Sequence, residues 1–439
     1  MPRPATLSGW LAYLETLHPK AIALGLDRVR AVHALLAAEI GCPVVTVTGT
    51  NGKGSTCAML ESILRSAGYS VGLYASPHLV EYNERVRIDG RNANDAELVA
   101  AFDAVEDARV ATHGTDGAPV TLTYFEFGTL AALWLFARAK LDVLVLEVGL
   151  GGRLDAVNVV DPDVAVLTSV AIDHVDYLGP TREDIGREKA GIFRAGRPAV
   201  CADPAPPASV VAAAEDVGAQ LLVIGRDYGY VNEGRQWRFR GPRGERFGLP
   251  VPALRGAYQL ANAATALAVV DLLHARLPVS AGAVREGLLE VALPGRFQVL
   301  PGRPVTVLDV AHNPHAAQAL ADALSDMGYF PETHAVLGML ADKDVDGVIA
   351  AVRPRVDRWH VATLPGPRGA TGERLRDALL AAGVPPEAVR AHAGVPEALA
   401  AARAAAAETD RIVVFGSFLT VAAALPAPAG GRVRRGPPP

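Results

Sequence analysis

The sequence predicts two α/β domains, each on a mainly parallel sheet, with small antiparallel hairpins in the first and a smaller Rossmann-like second. Three observations carry that reading. Continuous apolar runs of the kind buried on both faces of a parallel sheet, such as VVTVT (Val44 to Thr48), DVLVLEV (Asp142 to Val148) and DVAVLTS (Asp163 to Ser169), alternate with helical patterns. A glycine-rich turn leads from the first of these strands straight into a helix. After LPGRFQ, Leu293 to Gln298, the strand–helix alternation begins afresh. The expected domains are therefore 1–296 and 297–425, followed by a disordered tail over 426–439, where PAPAGGRVRRGPPP has no apolar periodicity.

The elements follow in order. LSGWLAYLETLH reads as an amphipathic helix, Val44 to Thr48 as a buried β-branched strand, CAMLESILRSAG as a helix and SVGLYA as the next strand. Ser76 to Asn92 reads as a long irregular segment, of a length that compact domains keep for function. Helices are expected over Asp95 to Val110 and Tyr124 to Ala139, with more alternation to about Gly225. Asp227 to Pro250 is polar and aromatic with glycine turns, and predicts small antiparallel hairpins before helices at Tyr258 to Arg276 and Val279 to Val291. The second domain reads as strand VTVLDV, helix Pro314 to Met327, strand HAVLGML, a helix, strand WHVATL, two helices and strand RIVVFG.

Composition excludes several classes of function. The 439 residues hold 42 basic and 47 acidic side chains, a net charge of -5 that offers no bulk attraction to nucleic acid or anionic membrane. Cys42, Cys57 and Cys201 show no CxxC spacing, so neither a zinc site nor a disulfide scaffold is expected from them. No apolar run reaches spanning length, and MPRPATLSGW lacks a signal-peptide core, so a cytoplasmic protein is expected. Only five of the 42 basic residues are lysines: Lys20, Lys53, Lys140, Lys189 and Lys343. In a chain that otherwise uses arginine, a lysine flags work that a guanidinium cannot do, because only an amine readily loses its proton.

The sharpest local signal is TVTGTNGKGST, Thr46 to Thr56. A strand enters a loop with Gly49, Gly52 and Gly54 around Lys53, and a helix starts at Ser55. Such a loop turns backbone N–H groups and a helix N-terminus toward one point, where phosphate oxygens are held and Lys53 reaches the outer phosphates. Glu147 leaves a buried strand and suits Mg²⁺, the plainer reading being an ion pair with Arg153. His174 follows the strand over Asp163 to Ser169, beside Asp173 and Asp176, at the end where open α/β sheets build sites. Lys189, in REDIGREKAGIF, is either a surface helix partner or a residue with an amine-specific role. In DVAHNPHA, Asp309 and His312 face a ligand, or the segment is simply an Asn313 cap with Pro314 at the first helical position. Arg296 stands at the domain junction, in reach of phosphate.

In this order, GTNGKGS, SPHLVEYNERVRIDG, LTYFEFGTL, LEVGLGGRLDAVN, DHVDYLG, IGREKAGIF, PGRFQ, DVAHNPHA, GMLADKD, GPRGA and GSFLTV resemble the folylpolyglutamate synthase/dihydrofolate synthase family of the Mur ligase superfamily. The likeness covers nearly the whole chain and is greatest to the bifunctional bacterial enzymes. It implies a Mur-ligase-like P-loop domain and an ATP-dependent ligase. ATP phosphorylates a carboxylate, the amine of L-glutamate attacks the acyl phosphate, and phosphate leaves. By resemblance, Gly49, Thr50, Asn51, Gly52, Lys53, Gly54 and Ser55 hold the ATP phosphates, and Asn262, Arg296 and Asp309 contact ATP across the domain cleft. Ser76 and Glu147 ligate the first Mg²⁺ and His174 the second, helped by a carbamate on Lys189 that no arginine can form. The resemblance leaves a monovalent cation open as a further ion. The pterin lies against Thr123, Phe125, Leu154, Asp155 and Ala156, with Ile22 and Leu24 nearby, while His312 and Ser417 take the incoming glutamate.

Two positions depart from the family pattern: Val157 stands where Thr is common, and Leu419 where His often follows GSF. The expected substrates are dihydropteroate, reduced folates and L-glutamate, handled by a monomer with no nucleic-acid or membrane partner. Alternatives are an enzyme that only extends polyglutamate, a cell-wall ligase acting on a UDP-sugar precursor, and a nucleotide-gated binding module without ligase activity. Only about forty residues precede the P-loop strand, too few for the UDP-binding domain usual in the cell-wall enzymes.

Overall fold

The computed structural model describes residues 3–20, 22–114 and 117–425. The expected tail at 426–439 lies outside the described residues. The chain forms two compact units, one of residues up to 253 with 260–291, the other of 254–259 with 292–425. The division falls slightly before the expected 296. Val310 N donates to Gly295 O at 2.9 Å and Phe297 N to Asp309 Oδ2 at 2.8 Å, tying the 295–297 turn to the second unit.

In the first unit, eight strands form one sheet: β1 (Val44–Thr48), β2 (Val71–Tyr74), β3 (Val86–Ile88), β4 (Arg91–Asn92), β5 (Val143–Glu147), β6 (Val164–Leu167), β7 (Pro198–Cys201) and β8 (Gln220–Val223). Their order is β4-β3-β2-β5-β1-β6-β7-β8. All pairings are parallel except β2–β3 and β3–β4. β1, β5 and β6 are buried throughout, as their unbroken Val/Leu runs require of strands covered on both faces. The connections leave the neighbouring β1 and β5 in opposite directions, from β1 to β2 on one side and from β5 to β6 on the other. The C-terminal ends of β2, β5, β1 and β6 therefore line one crevice at a topological switch point.

Helices cover the sheet. Tyr124–Arg138 is buried along most of its length, and Trp10, Phe102, Phe127 and Tyr82 meet beside it with ring centroids 5.7–6.0 Å apart. Each such ring, withdrawn from water, contributes about 2–3 kcal/mol. The hairpins expected over 227–250 are present as a three-stranded antiparallel sheet of β9 (Gly229–Asn232), β10 (Gln236–Gly241) and β11 (Gly244–Pro250). The segment 76–92 is more ordered than expected. Glu84 accepts backbone N–H groups from Leu79 (2.6 Å), Val80 (2.8 Å) and Glu81 (2.8 Å), and this knot delivers the chain to β3, antiparallel to β2.

The second unit holds β12 (Gln298–Leu300), β13 (Val305–Leu308), β14 (Thr333–Leu337), β15 (Arg358–Ala362), β16 (Val389–His392) and β17 (Arg411–Phe415), in the order β12-β13-β17-β14-β15-β16. β12 and β16 are additions to the expected pattern. Both are short strands at the sheet edges and only partly buried, so neither has the apolar run that marks the central strands.

Candidate active site

At the end of β1 the chain turns through Gly49 (φ 148°) and Gly52 (φ 89°) into the helix Lys53–Ser66. A Cβ on Gly49 would collide with Thr168 Oγ1, and one on Gly52 would stand 2.7 Å from Asn262 Oδ1. Dihedral and space both demand glycine there. The turn is held from beyond β6: Thr50 N donates to Ser169 O (2.8 Å), Asn51 N to Ser169 Oγ (3.0 Å), and Thr168 Oγ1 to Asn51 O (2.6 Å). Lys53 Nζ donates to Gly49 O (2.9 Å) and Thr50 O (3.3 Å), so its charge sits within the curve of the loop. Gly54 and the buried Ser55 complete the first helical turn, whose amides face the same way.

Glu147 ends β5, the strand paired directly with β2, and is buried. Its Oε2 accepts the backbone N–H of Ser76 at 3.3 Å, so the two positions assigned to the first metal do meet. Arg153 pairs with Glu188 at 2.8 Å, which removes the plainer reading of Glu147 as its partner. Nor is Lys189 a surface lysine. It is 4 % exposed in the helix Arg182–Ala190, and burial pushes its amine from 10.5 down to about 7. The nearby Lys53 charge lowers it further, while Asp173 and Asp155 oppose the shift. Asp155 is fully enclosed, and burial pushes its carboxyl up to about 7 despite N–H bonds from Leu150 (2.9 Å) and Val157 (3.0 Å). His174 has left-handed backbone (φ 51°), its N–H bonded to Asp173 Oδ1 at 2.9 Å, and its ring is about one-third exposed.

Thr123 caps the helix Tyr124–Arg138, its hydroxyl accepting from Glu126 N (3.2 Å) while Glu126 Oε2 accepts Thr123 N (2.7 Å). Phe125 lies against Tyr74, and Gly149 is small because a Cβ there would press into the Phe125 ring. Ile22 and Leu24 are half-buried in a segment tied to the 149–156 loop by Gly25 N donating to Leu154 O at 3.3 Å, and Ala156 is buried there. Val157 is fully buried, so the departure at that position is part of the packing beneath this loop.

Sequence reading missed two groups and left a third, within the 76–92 segment, without a role. Arg28 Nη2 donates to Glu126 Oε1 at 2.7 Å, tying the helix Asp27–Leu36 to the capping box; Thr followed three residues later by Glu was the available signal. Thr168 and Ser169, behind the phosphate loop, carried none. Buried Arg85 lies over Tyr82 (5.3 Å) and Tyr124 (5.5 Å) and donates to His78 Nδ1 at 2.9 Å. Burial, with the Arg85 charge, pushes the His78 imidazole down to about 3.

In the second unit, Asp309 leaves β13 buried, accepting N–H groups of Phe297 and Ala311, both at 2.8 Å. Burial raises its carboxyl above the ordinary range against the Arg296 charge. The Arg296 guanidinium lies 4.9 Å over the Phe418 ring, and its buried Nη1 has no hydrogen-bond partner among the described residues. His312 packs 6.3 Å from the same ring, its Nδ1 2.9 Å from Val310 O. Asn313 caps the helix that Pro314 begins, so the cap is real, and His312 lies just outside it. Ser417 caps Phe418–Ala424. Arg296, Asp309, His312 and Ser417 are thus grouped within the second unit, while Asn262 lies against Gly52 in the first.

Family models agree with this geometry. Residues 47–270 match the Mur ligase middle domain and residues 295–418 the Mur ligase glutamate ligase domain. The dihydrofolate synthase/folylpolyglutamate synthase of Escherichia coli is 48% identical over 417 residues, covering 95% of this chain and 94% of its own length. That decides the family. This chain belongs to the dihydrofolate synthase/folylpolyglutamate synthase family of Mur ligases. It is an ATP-dependent ligase. The structure of E. coli FolC in complex with DHPP and ADP superposes with a TM-score of 0.89 at 47% identity, covering 97% of this chain and 98% of that one. The bifunctional synthase from Yersinia pestis with AMPPNP and Mn ion gives 0.87 at 46%, over 97% and 98%. The folylpolyglutamate synthase of Mycobacterium tuberculosis with ADP gives 0.87 at 32%, over 95% and 98%.

Proposed function

We propose that this synthase-family chain joins L-glutamate to 7,8-dihydropteroate and to reduced folates, at the crevice formed by the ends of β2, β5, β1 and β6. A carboxylate oxygen of the pterin substrate attacks the γ-phosphorus of ATP, the bond to the bridging oxygen breaks, and ADP departs. The glutamate amine then attacks the acyl carbon, a C–N bond forms, the C–O bond to phosphate breaks, and the amine's proton is lost. Lys53 and the N–H groups of 49–55 balance phosphate charge. Arg296, Asp309 and Asn262 contact ATP, and His312 and Ser417 orient the incoming glutamate.

The donors fit divalent cations: the Glu147 carboxylate beside Ser76 suits a hard ion, and the His174 imidazole is a borderline nitrogen donor for the second. Mg²⁺ would supply charge neutralisation at the transferring phosphate. Lys189 carries the reading furthest. An amine that burial holds near neutrality can attack CO₂ through its free pair, lose a proton and become a carboxylate donor beside His174. Thr123, Phe125, Leu154, Asp155 and Ala156, with Ile22 and Leu24, form the pterin surface, and Asp155, whose carboxyl burial raises to about 7, offers it a donor when protonated and an acceptor in either state. A monomer in the cytoplasm, with a monovalent cation as an added requirement, completes the proposal.

Phosphate release from Mg-ATP with L-glutamate tests it, using 7,8-dihydropteroate, a reduced folate monoglutamate and a UDP-muramoyl precursor in parallel. Turnover with both pterins is expected. Turnover with the folate alone would leave only polyglutamate extension, and turnover with the UDP-sugar alone would overturn the proposal.

A further inference from the structure

At the opposite end of the second unit's sheet from Asp309 and Ser417 stands a cluster with no part in that chemistry. Glu332 and Asp410 directly precede the paired first residues of β14 and β17, Thr333 and Arg411, and His334 is the next residue along β14. Five strand residues, roughly 16 Å, separate this edge from the other. The His334 side chain is 1 % exposed, and neither ring nitrogen makes a hydrogen bond among the described residues. Its Nε2 lies 3.5 Å from Glu332 Oε2 and 3.6 Å from Asp410 Oδ2, longer than a good hydrogen bond. One donor atom from each of the three residues falls within 4.8 Å of the others.

We propose that Glu332, His334 and Asp410 form a binding site for a borderline divalent cation of the Zn²⁺ class, separate from the Asp309 and Ser417 end of the sheet. The spacing favours it. Ligands at 2.0–2.2 Å in tetrahedral geometry stand about 3.3–3.6 Å apart, whereas octahedral neighbours stand about 2.8–3.1 Å apart. One imidazole with two carboxylates selects Zn²⁺, Co²⁺ or Ni²⁺ over Mg²⁺ and Ca²⁺, which prefer all-oxygen sets. The carboxylates are already oriented. Asp410 accepts Glu332 N (3.2 Å) and Ala407 N (2.7 Å), and Glu332 accepts both Nε (3.3 Å) and Nη2 (3.2 Å) of Arg358. A cavity of about 270 Å³, lined by Glu332, His334, Arg358, His360, Glu387 and Arg390, gives the ion a path and leaves room for a fourth ligand. The ion clips the start of β14 to the start of β17, so its role is to tighten this sheet.

The test uses the full chain, stripped with EDTA and held in excess Mg²⁺ so that the sites at Glu147 and His174 are filled. Zn²⁺ binding is measured by titration, and Co²⁺ replaces it to report four-coordinate geometry through strong visible absorption. One Zn²⁺ per chain is expected, with affinity at least about tenfold weaker in Glu332→Gln and in His334→Gln. Glu332 is 40% exposed, so its variant keeps the fold even if the His334 variant does not. Glu147→Gln, in the first unit, should bind Zn²⁺ as the parent does, and Glu332→Gln should ligate glutamate as the parent does. No Zn²⁺ uptake, unchanged affinity in Glu332→Gln, or loss of uptake in Glu147→Gln would each overturn the site.

Discussion

Lys189 offers the most demanding test of the active-site reading, because burial and chemistry pull against each other there. Its amine falls from 10.5 to about 7, so at pH 8 about nine-tenths is neutral, against a few thousandths for an ordinary lysine. That shift is also a stability cost. Below pH 7 both folded and unfolded chains hold the proton, and the folded state bears the full penalty of a buried charge. Between about 7 and 10.5 the folded chain has released the proton while the unfolded chain keeps it, so stability rises with pH through that window. At 1.36 kcal/mol per pKa unit the penalty at neutral pH is on the order of a few kcal/mol. Lys189→Met should therefore be more stable than the parent at pH 7, with the rise between 7 and 10.5 largely abolished. Lys189→Arg, which cannot shed its charge, should be less stable. Both should lose turnover at least about a hundredfold, since neither can form a carbamate. The assays are urea unfolding in CO₂-free buffer from pH 7 to 10, and phosphate release with and without added bicarbonate. A parental pH slope in Lys189→Met, or near-parental turnover in Lys189→Arg, would refute the reasoning.

Three further outcomes follow from the same geometry. Gly49→Ala places a Cβ on Thr168 Oγ1 at φ 148° and should cost about 1–3 kcal/mol and weaken ATP binding, read by unfolding and nucleotide titration; an unchanged variant would remove the close approach. Arg28→Ala leaves the buried Glu126 carboxylate without its 2.7 Å partner and should cost about 2 kcal/mol, at the low end because Arg28 is about one-third exposed; adding Glu126→Gln should recover part of the loss, and failure to do so would deny the charge origin. Asp155 is raised from 3.8 to about 7, so between those values the folded chain keeps a proton the unfolded chain has lost, and stability falls as pH rises. Asp155→Asn should flatten that slope in unfolding measured from pH 4 to 7, and parallel slopes would refute it.

What the sequence determined by itself is local or periodic. Val44 to Thr48 has one stable environment, the middle of a parallel sheet, and the glycines at 49 and 52 accept dihedrals that other residues resist, so strand, loop and helix were legible before any fold was known. The hairpins at 227–250 and the cap at Asn313 are likewise short-range consequences of turn and capping chemistry. Tertiary structure alone decided the rest. Nothing near Lys189 in sequence says that its amine is buried within reach of Lys53, Asp155 and Asp173, because the pKa that makes it useful arises from desolvation by distant chain. Thr168 became the brace of the phosphate loop, and Asp410 met His334, only once β6 lay beside β1 and β17 beside β14. Those pairings depend on strand order, and strand order is set by which apolar faces can be buried together across the whole chain rather than by any one segment.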